Sequence, residues 1–464
     1  MSEKQTFFDW EDDFDSLKNI EADVYVNDSL KKSDIHFDKI EIYRSGSNVL
    51  NIIFFTKESF HSDLIKREPK PYNFKIEIKL KQFSYSNYSS MLLCDANFGP
   101  ETIHCIDNFV ETKATAKRVV YMSSKPKLIL KEWYGCRNNL NFHDGILTSK
   151  TTEEIVTYKN QNSVSFKISC KSESHNISSF WIKLDSYKLK VSVLKANKNE
   201  SEYVRYVLEY REKWGGIPNE ETRYDICTFL SFIIGTKMIK FGESFFDTNY
   251  ITQKEYLSPS PIDMSFLYQT NFPFFNDDYR CNDTDIVIKQ IPKMLRRYFL
   301  LKAKYRLDEV LPSLFVHSYL NFNFINYVTY IEMFSNIEIE EKNTILSKSK
   351  FKEVMRQLNG TKGIPKSIKD KFQSLNMIGI GKKIQRLLKK YKIDYNEYHN
   401  VFSVRGKVVH GANVDIQEMY LASEKAKELL TILTLKKLRY TGYIRNFTNN
   451  NELILLKDMS KIIL

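Results

Sequence analysis

The chain has 464 residues, 42% hydrophobic and 27% charged, which excludes a disordered polyelectrolyte and leaves ample material for two or three packed domains. Its net charge of +12 is uneven, because residues 291–464 carry 31 Lys and Arg against 16 Asp and Glu, and the first 290 carry 38 against 41. No apolar run approaches the roughly 20 residues of a membrane helix, and six cysteines scattered without C-x-x-C pairs argue against a zinc site or a disulfide framework.

The opening segment, MSEKQTFFDWEDDFDSL, is acidic and lacks the basic-then-apolar order of a signal peptide, so a cytoplasmic location is expected. Strand signals follow. Residues 74–80, Phe-Lys-Ile-Glu-Ile-Lys-Leu, alternate strictly, as one buried and one wet face demand. Short runs of the same kind occur at Lys39–Tyr43, Val49–Phe55, Val119–Met122, Leu128–Leu130, Val164–Ser169, Trp181–Leu184, Lys190–Leu194 and Tyr203–Tyr210. Clusters of Ser, Asn, Lys and Gly separate them. This pattern predicts a β-rich domain, sandwich-like or mixed, over residues 1–242, and no catalytic constellation stands out in it.

The character changes after Trp214-Gly215-Gly216-Ile217-Pro218-Asn219. Asn219, followed by two glutamates, predicts a helix N-cap with an acidic first turn, and the helix would run through Ile226, Phe229, Leu230 and Ile233 to Gly235. Residues 243–285 hold three prolines and several Asp and Asn residues, and read as an irregular connector. From about 286 the period is helical. Ile288, Ile291, Leu295, Tyr298 and Phe299 make one face, and Leu314–Phe334 reads as a longer apolar helix. Further helices are predicted at 347–358, 366–374, 381–391, 396–410 and 415–438. The fold class expected is therefore α+β: a β-rich N-terminal domain, then an all-α bundle over 286–464 with a basic surface. That basic surface is where a polyanion would bind, and no Lys-rich helix has the bulky aromatic face that membrane insertion requires.

Within the bundle lies Tyr398-His-Asn-Val-Phe-Ser-Val-Arg-Gly-Lys-Val-Val-His-Gly411. Arg405 and His410, with four residues between them, are the two side-chain types that metal-free RNA cleavage needs most. A histidine passes protons near neutral pH, and an arginine holds a phosphate that is gaining charge. With eight histidines in the chain a chance pair is unsurprising, and a second one exists at Arg137 and His143. That second pair falls in an Asn-rich turn of the strand-rich half and reads as the accident. Arg405 and His410 fall on a predicted helix of a basic, helical domain, where Val404, Val408 and Val409 can pack inward. Residues five apart on an ideal helix point about 140° apart, so the arginine must reach around or a second chain must complete the site. The alternative is a buried histidine and a surface arginine in a structural helix.

This helix–Arg-x4-His–helix arrangement resembles the HEPN superfamily, and more narrowly the ApeA-like proteins of anti-phage abortive infection. Two further segments carry the likeness: Leu230-Ser-Phe-Ile-Ile-Gly-Thr-Lys237, and Tyr330-Ile-Glu-Met-Phe334 with a lone acidic residue in an apolar run. The resemblance implies a metal-independent endoribonuclease that needs no cofactor, with Arg405 and His410 catalytic. It further implies host RNA as substrate, with transfer RNA favoured, a homodimeric site, and an N-terminal domain that senses a phage-encoded trigger. One residue departs from the family pattern. HEPN nucleases usually carry a polar residue after the arginine, and here it is Gly406, which either lets a backbone approach closely or marks a degenerate site. A non-catalytic RNA- or protein-binding module and a toxin controlled by a separate partner are therefore the rival readings.

Other residues keep two readings each. Lys407 either touches a substrate phosphate or is a solvated surface lysine. Glu332 either orients Arg405 across the bundle or pairs with another cation. The stretch 362–392 carries Lys362, Lys366, Lys369, Lys371, Lys382, Lys383, Arg386, Lys389, Lys390 and Lys392 against one acid, Asp370. With Ile384, Leu387 and Leu388 facing the core, its cations would lie outside, either as a solvated face or as an RNA-backbone surface built around Lys382, Lys383, Arg386, Lys389 and Lys390. Gly379-Ile-Gly-Lys-Lys383 lacks phosphate-loop spacing, and no histidine cluster has metal-ligand spacing.

Overall fold

The computed structural model describes residues 17–26, 33–44, 49–56, 76–80, 90–106, 109–122, 126–136, 155–159, 165–169, 178–193, 204–247, 251–268, 281–316, 319–339, 346–361, 365, 379–448, 452–456 and 460–463. The chain divides into two compact units, Met1–Thr222 with Met238–Thr270, and Arg223–Lys237 with Asn271–Leu464.

The first unit is built on strands. In chain order these are β1 (Leu17–Val26), β2 (Ser33–Arg44), β3 (Leu50–Thr56), β4 (Ile76–Leu80), β5 (Ser90–Ile106), β6 (Phe109–Met122), β7 (Ile129–Gly135), β8 (Ile155–Lys159), β9 (Ser165–Ser169), β10 (Ser178–Lys183), β11 (Lys188–Val193) and β12 (Val204–Arg211). The chain then passes through helix α1 (Glu220–Ile234), which belongs to the second unit, and returns for β13 (Ile239–Phe246), β14 (Ile251–Leu257) and the short helix α2 (Pro261–Tyr268). Twelve strands make one antiparallel sheet in the order β10-β11-β12-β7-β13-β14-β6-β3-β2-β1-β4-β5, and β8 with β9 forms a separate pair.

Strand β5 also pairs with β6, so β6-β3-β2-β1-β4-β5 closes into a six-stranded ring. Closure removes the exposed edges an open sheet would carry there. Strand β3 shows why: Leu50, Ile52 and Phe54 are buried and alternate with half-buried Asn51, Ile53 and Phe55. Ile52 and Phe54 face Ile42 and Ile40 of β2 across the ladder. The remaining strands branch off β6, whose residues 110–116 pair with β3 and whose residues 118–122 pair with β14. Ser258 closes this fork. Its Oγ accepts from Leu50 N–H at 2.8 Å and donates to Ala116 O at 2.7 Å, while its own N–H donates to Lys117 O at 2.8 Å.

The stretch 243–285, expected to be an irregular connector, instead carries the end of β13, all of β14, α2 and the start of α3 (Cys281–Tyr305). Its strand is hard to see because residues 252–256 are all buried, polar ones included. Glu255 accepts from Arg118 at 2.9 Å, and the Lys254 ammonium lies 5.1 Å from the Tyr256 ring centre. Buried polar groups that find partners erase the alternation a half-wet strand shows.

The second unit is helical. Besides α1 and α3 it contains α4 (Leu307–Phe315), α5 (Leu320–Glu338), α6 (Lys348–Gly360), α7 (Ile380–Lys390), α8 (His399–Val409) and α9 (Ile416–Lys437). Asn219 caps α1, its Oδ1 accepting from Thr222 N–H at 2.9 Å. From Asp225 to Ile234 every residue of α1 is buried, as an all-round apolar helix requires. Buried Asp225 is satisfied by α3, with Lys302 Nζ at 2.8 Å and Tyr298 Oη at 3.1 Å. Helix α5 is the pivot of the unit and packs against α9, α7, α4, α8 and α3 through Phe324, Tyr327, Val328, Ile331, Phe334 and Ser335. The single helix expected over Leu314–Phe334 is two, because Val316 takes an extended conformation between α4 and α5.

The unit is not wholly helical: β15 (Tyr443–Arg445), β16 (Glu452–Leu455) and β17 (Ser460–Ile463) form a small antiparallel sheet. No described helix is long and apolar enough to cross a membrane. The helix expected over 366–374 lies outside the described residues.

The fork at β6 gives a first prediction. Ser258→Ala leaves the buried Leu50 N–H without its acceptor and is expected to cost about 1–2 kcal/mol, read as a lowered midpoint in denaturant with an unchanged m-value.

Candidate active site

Helix α8 is fixed at both ends. At its start, buried Tyr398 donates to Glu428 Oε1 of α9 at 2.9 Å. Burial, reinforced by the Glu428 carboxylate, pushes the Tyr398 phenol well above its ordinary pKa. Along the helix Val401 and Val404 are buried against the bundle. At its end, Gly411 takes a left-handed φ of +71°, its N–H donates to Val408 O at 3.1 Å, and Ala412 N–H donates to Lys407 O at 2.9 Å. These two bonds are a Schellman cap, which satisfies carbonyls the helix would otherwise leave open. His410 is the C-cap residue of this motif, exposed, with its own N–H bonded to Gly406 O at 3.1 Å.

The arginine is held differently. Its Nε lies 2.9 Å from Glu332 Oε1 of α5, and the two side chains keep 31% and 23% of their surface exposed. Glu332 stands between Ile331 and Phe334, both buried, so α5 presents it at a fixed point of the bundle. Of the two readings of Glu332, the structure thus contains the ion pair with Arg405. The alternative of a buried histidine beside a surface arginine does not describe this helix, because His410 is exposed and Arg405 half-buried. Lys407 bonds Glu418 of α9 at 2.7 and 3.0 Å, and Asp415 caps α9 by accepting from Gln417 and Glu418 N–H groups at 2.8 and 3.2 Å. The elbow between α8 and α9 is thereby tied down beside His410.

Gly406 is helical and half-buried, and a Cβ built on it would meet no atom within 4 Å. No close backbone approach explains this glycine within one copy of the chain. Three rings around the start of α8 are ones that sequence reasoning did not single out. The Tyr395 and Phe402 rings are parallel, 5.7 Å apart with 4° between their planes, and His399 stands edge-on to Tyr395 at 6.0 Å. The signal that could have found Phe402 is its place three residues before Arg405, hence beside it on the helix surface.

The basic helix α7 is only partly a cationic surface. Ile384, Leu387 and Leu388 are buried as expected, and Lys382, Arg386 and Lys389 are exposed. Lys383, expected outside, is buried instead and donates to Asn336 Oδ1 at 2.8 Å, because it shares the inner face with Ile384 and Leu387. Lys390 is committed to Glu338 of α5, which also bonds Lys437, Tyr305 and Tyr391. Burial alone would raise the Glu338 pKa, but the hydrogen bonds from Lys390, Lys437 and Tyr305 win and hold it at about 2. Lys362, Lys366, Lys369, Lys371 and Asp370 lie outside the described residues, as do Arg137 and His143. Among the described residues no group of three or more His, Cys, Asp or Glu side chains is placed to hold a metal ion.

Comparison of the chain with family models, with curated proteins and with solved structures found no match.

Two glycines five residues apart, one within α8 and one just past its C-cap, give opposite predictions. Gly406→Ala is expected to stabilise the fold by up to about 1 kcal/mol, since the helix gains propensity and nothing clashes. Gly411→Ala, at positive φ, is expected to cost about 1 kcal/mol and to loosen the cap that holds His410. Thermal melts of the two variants check both signs. Glu338 gives a pH dependence. Its folded pKa lies below the usual carboxylate value of 4.5, so its contribution is complete above that pH and is lost as pH falls toward 2. Glu338→Gln should therefore cost on the order of 2–3 kcal/mol in urea titrations at pH 7 and much less near pH 2.5.

Proposed function

We propose that the chain is a metal-independent endoribonuclease effector of anti-phage defence, a β-rich sensing unit joined to a HEPN-type helical unit. The observation that carries this reading is the pairing on one capped helix of an arginine oriented by a carboxylate and an exposed histidine. Each group suits a distinct part of the reaction. The 2′-oxygen of an RNA nucleotide attacks the adjacent phosphorus, the bond to the 5′-oxygen breaks, and the products are a 2′,3′-cyclic phosphate and a 5′-hydroxyl. His410 takes the proton from the 2′-hydroxyl or delivers one to the departing 5′-oxygen. Arg405 stabilises the charge that develops on the phosphorane-like transition state, and the Glu332 bond at its Nε leaves the terminal nitrogens for that task. DNA lacks the attacking hydroxyl.

The separation of about 140° around the helix supports a homodimer in which a second copy supplies the complementary group. Lys382, Arg386 and Lys389 supply contacts to the RNA backbone, with Lys407 held at the elbow by Glu418. Host RNA, with transfer RNA favoured, is the substrate, and a phage-encoded protein sensed by the first unit is the trigger.

The test is incubation of purified protein with total RNA, with and without EDTA, and mapping of the new ends. Cleavage that resists EDTA and leaves 2′,3′-cyclic phosphates is expected. His410→Ala should abolish it, and Glu332→Gln should reduce it at least tenfold through Arg405. Cleavage that survives His410→Ala, or that EDTA stops, overturns the mechanism. Binding of RNA by wild type and by His410→Ala without cleavage by either would favour the non-catalytic module.

A further inference from the structure

Phe402 and Gly406 are four residues apart on α8 and so lie on one face of it, with Arg405 three residues beyond Phe402 and the C-cap His410 four beyond Gly406. Helical side chains lean toward the helix N-terminus, so a side chain at position 406 would cover the turn that carries Phe402. Gly406 has none, and the space a Cβ would enter is empty for 4 Å. The neighbouring ring is prepared for contact. Phe402 is half-buried and backed by the parallel Tyr395 ring, itself half-buried, with exposed His399 edge-on behind it. A stack serving only the core would be buried like Tyr398 or Phe334, which keep 0% of their surface exposed.

We propose that this notch receives one unpaired nucleobase of the RNA at the cleaved step, stacked on Phe402. The proposal rests on the ribonuclease reading above and names the substrate feature that its site selects. A base seated against Phe402 brings its ribose and phosphate beside Arg405, and the second copy supplies the complementary histidine. Aromatic faces accept any base, so the notch demands an unpaired nucleotide and only modest sequence. Bases locked in an A-form helix cannot enter, which confines cleavage to loops, bulges and single strands. Gly406 then has a positive role: the polar side chain usual at this position in HEPN nucleases would fill the notch.

The test uses the full chain and two readouts. One is the steady-state kinetics of cleavage of a single-stranded RNA hexamer. The other is the Kd for the same hexamer with 2′-O-methyl riboses, which cannot cleave itself. Gly406→Leu fills the notch without a clash, and Phe402→Leu removes the ring while keeping an apolar side chain; circular dichroism and melting establish that both fold. Each is expected to raise the Kd tenfold or more and to raise KM more than it lowers kcat. A Kd within twofold of wild type for Phe402→Leu and Gly406→Leu overturns the notch, even if His410→Ala abolishes cleavage and so upholds the catalytic reading. If wild type cuts no RNA in the absence of its trigger, the Kd comparison alone decides the notch. Wild type failing to bind the hexamer also overturns it.

Discussion

Much of the helical unit depends on one buried carboxylate. Glu428 of α9 has no exposed surface, and it is satisfied from three directions: by Tyr398 Oη, by Lys425 Nζ at 3.0 Å, and by the Phe447 N–H at 3.1 Å. A charge removed from water is tolerable only when its lone pairs are taken, so these three bonds are a condition of the fold and not an ornament on it. Through them the start of α8, the middle of α9 and the chain leading to β16 must keep one mutual arrangement. Everything downstream on α8 inherits that arrangement. Arg405 meets Glu332 only if α8 lies at a fixed angle to α5, and a side chain about 1 Å out of place is enough to cost a site much of its rate.

The charged residues sort by what surrounds them more than by how they cluster in sequence. Glu338 gathers two lysines and two tyrosines and fixes the far end of α5 to α7 and α9. The Arg405–Glu332 pair, by contrast, keeps part of its surface in water, where an ion pair contributes at most about 1 kcal/mol. Its value is orientation, not stability.

The parts of this architecture legible in sequence were those written in apolar periodicity and local caps. Asn219 announced α1, Leu50, Ile52 and Phe54 announced β3, and Ile384, Leu387 and Leu388 set the inner face of α7. What escaped was set by partners distant in the chain. Strand β14 buries Gln253, Lys254 and Glu255, so it carries no alternating signature, and the ring closure rests on pairings such as β1 with β4 that no local pattern encodes. The break before α5 escaped because no Gly or Pro marks it between Phe315 and Leu320. Lys383 escaped because its partner, Asn336, is 47 positions away. In the candidate site, Arg405 and His410 were legible from residue type and spacing, and Glu332 only as one of two options. Tyr395 was invisible, because its stacking on Phe402 depends on how the chain enters α8.

The route of the chain through α1 limits how the protein can be divided. This helix is encoded between β12 and β13, yet it is counted with the helical unit, so the chain crosses from one unit to the other three times. No single cut yields two intact halves. A fragment beginning near residue 286 would lack Asp225, which Lys302 and Tyr298 of α3 both bond, and would lack Phe229, which packs near Tyr298. A fragment ending near residue 242 would carry α1 as an orphan apolar helix and would lack β14, the strand that joins β13 to β6. The gene segment and the folding unit are different objects here, since each unit is assembled from two separate stretches of the chain.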